Sequence, residues 1–263
     1  NIYKYDEKKY LITGDEKQVD SLTFHDLQKA YDLFYHPENI FIVINGNFKK
    51  MEANAIIKEF FSNKSYPRFD KKTKLTKNEP IKISKKKINL ISNINIPILS
   101  INYKLNKESF KKYNDFTLGL YLDAILSLLY GKSSDIYIKL YSENIINDLI
   151  DYSYSINSNN IVITINIRSF YKEEVLNQIN KSITSNTFTN EDLNRYKRVS
   201  ISSYLLNFND IVKTNDLLVN DLVSGSINTN YIKSINSLNI NDLNKISALI
   251  KTNNKLEVTI KND

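Results

Sequence analysis

Two histidines, His25 and His36, are the side chains best suited to proton transfer or metal ligation, and no cysteine accompanies them. A zinc site of the H-x-x-E-H or H-x-x-x-H kind needs imidazoles at helical spacing so that they converge on one ion. His25 is followed by Asp26, Leu27, Gln28 and Lys29, and His36 by Pro37, Glu38, Asn39 and Ile40, so neither begins such a motif. His25 reads as a polar residue on the first turn of a helix, and His36 as a ring able to bond free carbonyls where a helix stops before Pro37. Gly131-Lys132-Ser133-Ser134 matches the end of a phosphate-binding P-loop, but the upstream glycine is missing and the segment follows a helix instead of a strand. Ser133 or Ser134 is read instead as the cap of the next helix. Carboxylate pairs occur on several helices, as 29 acidic residues make inevitable, and none stands out as an acid–base pair. No catalytic, cofactor-binding or metal-ligating residue is therefore assigned.

Composition narrows the classes further. Five glycines, where ordinary usage gives about 18 in a chain of this length, argue against glycine-rich phosphate loops. The absence of cysteine excludes disulfides, thiolate metal sites and a thiol nucleophile. A net charge of +7 invites nucleic-acid binding, but the charge is nearly all lysine, with arginine only at Arg68, Arg168, Arg195 and Arg198. Base and phosphate readers favour the bidentate guanidinium, so a solvated lysine surface is expected and no nucleic-acid partner. The apolar stretch from Phe116 to Tyr130 is too short for a bilayer span and carries Asp123, so no membrane association is expected. With no targeting signal visible, a cytoplasmic location is expected; an opening without methionine suits a fragment or a processed product.

The elements that would position any site read as follows. Leu27, Ala30, Tyr31 and Phe34 recur at helical spacing after the capping pair Thr23 and Asp26, giving a helix over 21–35. A β-rich run, Asn39–Asn47, and an amphipathic helix, Lys50–Phe61, follow. From 63 to 86 proline and lysine dominate, the chemistry of a linker. Beyond it come strands at 87–93 and 98–105, a long apolar helix over 108–130 and a helix over 135–147. Strands at 150–156 and 161–168 precede helices at 172–185, 190–208, 210–224, 229–236 and 240–251, and a last strand at 255–261. Strands in pairs with helices between them give an α+β fold, a mostly antiparallel sheet with helices packed on one face.

One internal similarity organises the rest. Ser21-Leu22-Thr23-Phe24-His25-Asp26-Leu27-Gln28-Lys29 parallels Ser237-Leu238-Asn239-Ile240-Asn241-Asp242-Leu243-Asn244-Lys245, and each leads after a polar turn into a strand-forming run, Phe41–Asn45 and Leu256–Ile260. A duplication follows: 1–62 as the tail of a first domain, 63–86 as linker, and 87–263 as a complete second domain.

The run Val19…Thr23, Ala30-Tyr31…Tyr35-His36-Pro37-Glu38-Asn39 and Ile44-Asn45-Gly46-Asn47-Phe48 resembles the signature near the end of the first domain of the pitrilysin/insulinase-type zinc metallopeptidases. Residues Leu126 to Ser155, including Gly131-Lys132-Ser133-Ser134 and Leu149-Ile150-Asp151, resemble the second domain of compact bacterial members. The resemblance implies a processing-peptidase-like fold in which the H-x-x-E-H residues and the further glutamate ligand lie before the stretch matching Asn1. This chain would then bind no zinc and be inactive alone, with any zinc held by the missing N-terminal part or a partner subunit. Where many relatives carry an arginine that helps hold substrate, Leu140 is followed here by Tyr141, so that role is not transferred. The implied partners are the missing N-terminal half-domain or a homologous subunit, in a dimer or heterodimer, with peptide as substrate. A non-catalytic scaffold subunit of the same fold is the alternative.

Overall fold

The computed structural model describes residues 2–62, 78–184, 186–223 and 230–262. In chain order the helices are α1 (Glu16–Asp20), α2 (Phe24–Phe34), α3 (Lys50–Ser62), α4 (Asp115–Tyr130), α5 (Asp135–Ser142), α6 (Lys172–Thr184), α7 (Asn190–Asn207), α8 (Ile211–Val223), α9 (Tyr231–Ser237) and α10 (Ile240–Leu249). The strands are β1 (Lys87–Ile91), β2 (Ile98–Asn106), β3 (Asp151–Ile156), β4 (Asn160–Arg168) and β5 (Lys255–Lys261). Two compact units share the chain. The larger gathers Asn1–Lys9, Thr76–Ile201 and Asn230–Asp263; the smaller gathers Tyr10–Leu75 and Ser202–Thr229.

The larger unit is built on one sheet in the order β1-β5-β2-β4-β3, with only the β1–β5 pair parallel. Alternation along β2 and β4 sorts side chains to two faces. Leu99, Ile101, Tyr103 and Leu105 stand opposite Ile167, Ile165, Ile163 and Ile161, and all eight are buried. These residues join one core with Leu118, Leu122, Ile125 and Leu126 of α4, Val175 and Ile179 of α6, and Leu243 and Ile246 of α10. The α+β architecture with helices on one face of a mostly antiparallel sheet is thus the observed one. Helix α4 buries ten of its sixteen residues, as a helix enclosed by sheet and helices does, with Asp123 as a polar exception.

Several boundaries differ from the sequence reading for local reasons. The helix read over 108–130 is a 3₁₀ turn, Lys107–Phe110, followed by α4, because the Asn114 side chain accepts from the Thr117 N–H at 2.8 Å and opens a new helix there. The helix read over 135–147 stops at Ser142. Asn144 turns to φ 55°, and the N–H groups of Ile145 and Ile146 both reach the Leu140 carbonyl, at 2.9 and 3.2 Å. Such a left-handed residue ends a helix by satisfying its last carbonyls.

The smaller unit holds α1 to α3 and α8, and none of these helices has a buried residue. The run Phe41–Asn45, read as a strand, pairs with no strand among the described residues. A strand is defined by its ladder, so β-propensity alone leaves this segment without one. Residues 63–77, most of the expected linker, lie outside the described residues. Of its remainder, Glu79 and Ile83 are buried in the larger unit, and the Asn254 side chain ties that segment down by accepting from the Ile83 N–H and donating to the Ile81 carbonyl.

Candidate functional site

The residues first suspected of chemistry take structural roles. His25 lies exposed near the start of α2. His36 is buried, and its Nδ1 accepts from the Glu38 N–H at 3.2 Å, capping the short turn Pro37–Asn39. Ser134 is the cap of α5, its hydroxyl accepting from the Tyr137 N–H, while Gly131 closes α4. Tyr141, which follows Leu140, is exposed and stacks on Tyr137 at 5.6 Å. Among the described residues no three His, Asp or Glu side chains converge as a metal site would require.

The outer face of the five-stranded sheet, opposite the helices, carries the organised polar chemistry. Lys104 of β2 is 1% exposed, and its ammonium donates to a Glu79 carboxylate oxygen at 2.8 Å and to the Ile2 carbonyl at 2.7 Å. The Glu79 carboxylate also accepts from three successive backbone amides, those of Lys4, Tyr5 and Asp6, at 2.6, 2.6 and 2.9 Å. Burial alone would raise the Glu79 carboxyl, but the Lys104 ammonium and the three amides outweigh it and hold the group at about 2. The Tyr3 ring lies under the Lys104 ammonium at 5.3 Å, and its hydroxyl meets Ser155 and Asn157. Residues Ile2–Asp6 are therefore held on the sheet as a peptide whose main chain is read by one acid and one base.

Next to this clamp a groove of about 950 Å³ runs across the outer face. Its aliphatic part comes from Ile88 and Leu90 of β1, Leu256, Val258 and Ile260 of β5, and Ile98 of β2. The register explains the strip: Ile88 pairs with Val258 and Leu90 with Ile260, while Ile98 stands across from Ile260 on the other side. Further along, Asn102 donates to Ser100 and accepts from Thr164, and Asn166 donates to Asp151. Arg168 and Asp148 form an exposed ion pair at 3.4 Å at that end. Ile2 of the clamped segment lines the same groove.

Inside the larger unit, Asp123 of α4 accepts from the Tyr196 hydroxyl of α7 at 2.8 Å. Burial pushes the Asp123 carboxyl up, against the lowering effect of that bond, and the same burial pushes the Tyr196 phenol up. Such a pair is chemically quiet.

Sequence reasoning missed the clamp. Lys104 interrupts an aliphatic alternation as any exposed lysine of a sheet would, and Glu79 sits in a stretch that composition marks as linker. Only the register and the return of residues 2–6 to the sheet bring the two together.

The family model described as the peptidase M16 inactive domain matches residues 21–200. The uncharacterized zinc protease YmfH of Bacillus subtilis (strain 168) is 26% identical over 165 residues, 59% of this chain and 36% of that protein. A chain named as an M16-like peptidase from Alicyclobacillus acidocaldarius superposes with a TM-score of 0.88 at 17% identity, covering 100% of this chain and 63% of that one. A protease from Helicobacter pylori superposes with a TM-score of 0.78 at 18% identity, covering 94% of this chain and 61% of its own. The chain thus spans less than two thirds of the length of these relatives, and the fold is common to them. With two thirds of its residues under the family model, the chain belongs to the peptidase M16 inactive-domain family.

Proposed function

We propose that this chain is the C-terminal, non-zinc-binding portion of a zinc metallopeptidase of this family, inactive alone and contributing a wall of a peptide-enclosing chamber. The zinc ligands and general base belong to residues outside this chain, in an N-terminal part of the same protein or in a homologous subunit. The segments 1–62, 63–86 and 87–263 describe descent by duplication, while the two compact units describe packing.

A comparison of the duplicated helices carries this reading. Helix α2 is capped by Thr23 with Asp26, and α10 by Asn239 with Asp242, at equivalent positions. Yet Leu243 is 0% exposed while its counterpart Leu27 is 58% exposed, and Tyr31 is as bare as Leu27 where its counterpart Ser247 is buried. The Tyr121 hydroxyl of α4 accepts from the Asn239 backbone and side chain, whereas among the described residues the cap of α2 has bonds only within itself. An apolar helix face that lies bare in one copy and buried in the other calls for a layer to cover it. A half-domain homologous to the front of the larger unit supplies both a sheet and a covering helix.

The test is to mix this chain with the polypeptide encoded immediately upstream of it, reading hydrophobic-dye fluorescence and mass by light scattering. The chain alone is expected to bind the dye, and a one-to-one complex is expected to abolish that signal. A dye-silent monomer that ignores the upstream polypeptide would overturn the proposal. An H-x-x-E-H motif upstream makes the assembly an enzyme, and its absence makes it a scaffold.

A further inference from the structure

Where β2 runs into the 3₁₀ turn Lys107–Phe110 and the loop after α10 enters β5, the larger unit holds a cavity of about 590 Å³. Lys82, Lys86 and Lys251 line it, and no Asp or Glu is among its lining residues. We infer that this cavity is a binding site for a phosphate ester with an aliphatic body. The site is separate from the groove on the outer face, and the inference does not depend on where the zinc ligands lie.

Three observations point to that ligand. The first is unmatched charge. Other lysines of these elements are paired, Lys107 with Asp115 at 2.8 Å, Lys111 with Glu108 at 2.7 Å and Lys255 with Glu257 at 2.9 Å. Lys104 also lines the cavity, but its ammonium is spent on Glu79 and the Ile2 carbonyl. Lys82, Lys86 and Lys251 are exposed, and among the described residues their ammonium groups have no carboxylate partner. Three like charges around one cavity repel one another, and an anion between them relieves the repulsion. No arginine lines the cavity, and lysine binds phosphate as a point charge where planar carboxylate recognition favours the arginine fork. The second observation is the apolar part of the lining, in which Ile81 and Leu249 are half-buried beside the buried Leu105. The lining has one aromatic residue, Phe110, which is 1% exposed, so a nucleobase finds no ring to stack on and an aliphatic body fits better. The third is that the wall carrying two of the lysines is fixed. The Asn254 side chain accepts from the Ile83 N–H at 3.2 Å and donates to the Ile81 and Lys104 carbonyls at 2.8 and 2.7 Å. At the other end of that wall the Lys86 carbonyl accepts from the Glu257 N–H at 2.8 Å. A segment tied at both ends loses little further freedom when a ligand arrives. The volume lies within the range of small-molecule sites, about 300–1,000 Å³.

The experiment is titration calorimetry of the whole chain with octyl phosphate, kept below its micelle-forming concentration, against butyl phosphate, inorganic phosphate, octanoate and octyl glucoside. Octyl phosphate is expected to saturate one site per chain and to bind at least about tenfold more tightly than each of the others. Lys82→Gln combined with Lys251→Gln is expected to weaken it by about tenfold or more, because two of the three charges are gone. Lys132→Gln, exposed in the turn after α4, leaves binding unchanged. All three substitutions are at exposed positions that folding tolerates, and circular dichroism verifies it. Co-sedimentation with phosphatidylcholine vesicles carrying phosphatidic acid distinguishes two sources of the ester. Retention that the double variant loses assigns a lipid headgroup, and no retention assigns a soluble ester; either supports the site. Inorganic phosphate or octanoate binding as tightly as octyl phosphate overturns the inference, as does an affinity indifferent to the two lysine substitutions in the folded variant. Tighter binding of a single-stranded oligonucleotide at the same lysines also overturns it, since the cavity then reads a polyanion and not an aliphatic body.

Discussion

The Lys104 ammonium and the Glu79 carboxylate meet at 2.8 Å in a site where Lys104 is 1% and Glu79 5% exposed. Two charges withdrawn this far from water persist only when their remaining hydrogen-bonding capacity is filled, and here the backbone of residues 2–6 fills it. Removing one partner strands the other. Lys104→Met is expected to cost about 3–5 kcal/mol in urea unfolding at pH 7. It is also expected to speed proteolytic cutting within residues 3–9. A loss below about 1 kcal/mol with unchanged proteolysis would show that the pair does not anchor the segment.

The same pair sets a pH dependence. The Glu79 carboxyl is held at about 2 in the folded chain, below its ordinary value of 4.5. A lowered folded value means that the stabilisation is fully present above about pH 4.5 and is lost as pH falls from there through 2. Unfolding followed from pH 7 to pH 2.5 is expected to show a loss of stability in that window that Glu79→Gln largely removes. Parallel curves for the two proteins would contradict it.

Asp123 works in the opposite sense. Burial raises its carboxyl, so the folded state is penalised at pH values above the ordinary range for aspartate, near 4, where the unfolded chain ionises freely. Asp123→Asn keeps an acceptor for the Tyr196 hydroxyl and removes the charge. It is expected to be neutral or stabilising at pH 7, with any advantage disappearing below about pH 4. Destabilisation at pH 7 would mean that the charge is stabilised by contacts other than Tyr196.

Gly119 lies inside α4, where glycine costs about 1 kcal/mol relative to alanine. A Cβ there would stand 3.0 Å from the Tyr154 hydroxyl and 3.6 Å from its ring. Gly119→Ala alone is therefore expected to gain little or lose slightly, and Gly119→Ala with Tyr154→Phe to gain about 0.5–1 kcal/mol over Tyr154→Phe alone. Thermal unfolding of the four proteins in the cycle measures this coupling.

Helices α2 and α10, with matching caps, make a matched pair. Leu243→Ala empties a fully buried site and is expected to cost about 2–5 kcal/mol, while Leu27→Ala is expected to stay within about 0.5 kcal/mol in this chain alone. Equal costs would mean that α2 is buried in solution.

What the sequence disclosed and what it hid divide along physical lines. The strands β2 and β4 alternate cleanly and α4 is mostly apolar, so periodicity alone placed them on a sheet with helices on one face. The matching caps at Thr23 and Asn239 were legible in the sequence, because capping chemistry is local. Phe41–Asn45 has the composition of a strand, yet a strand also needs a neighbour, and pairing is not a local property. The Glu79–Lys104 clamp joins residues 25 apart to the main chain of residues 2–6, and no spacing rule marks such a meeting. The aliphatic strip on the outer face was equally hidden, since it arises from the β1–β5–β2 register.

The central claim is that this chain is the non-catalytic portion of a zinc peptidase. It is tested most directly by metal analysis of the purified chain, alongside its activity on an unstructured peptide. The account predicts well under one zinc per chain after dialysis, and no cleavage with zinc supplied. One tightly held zinc per chain, or cleavage that a chelator abolishes, would contradict it.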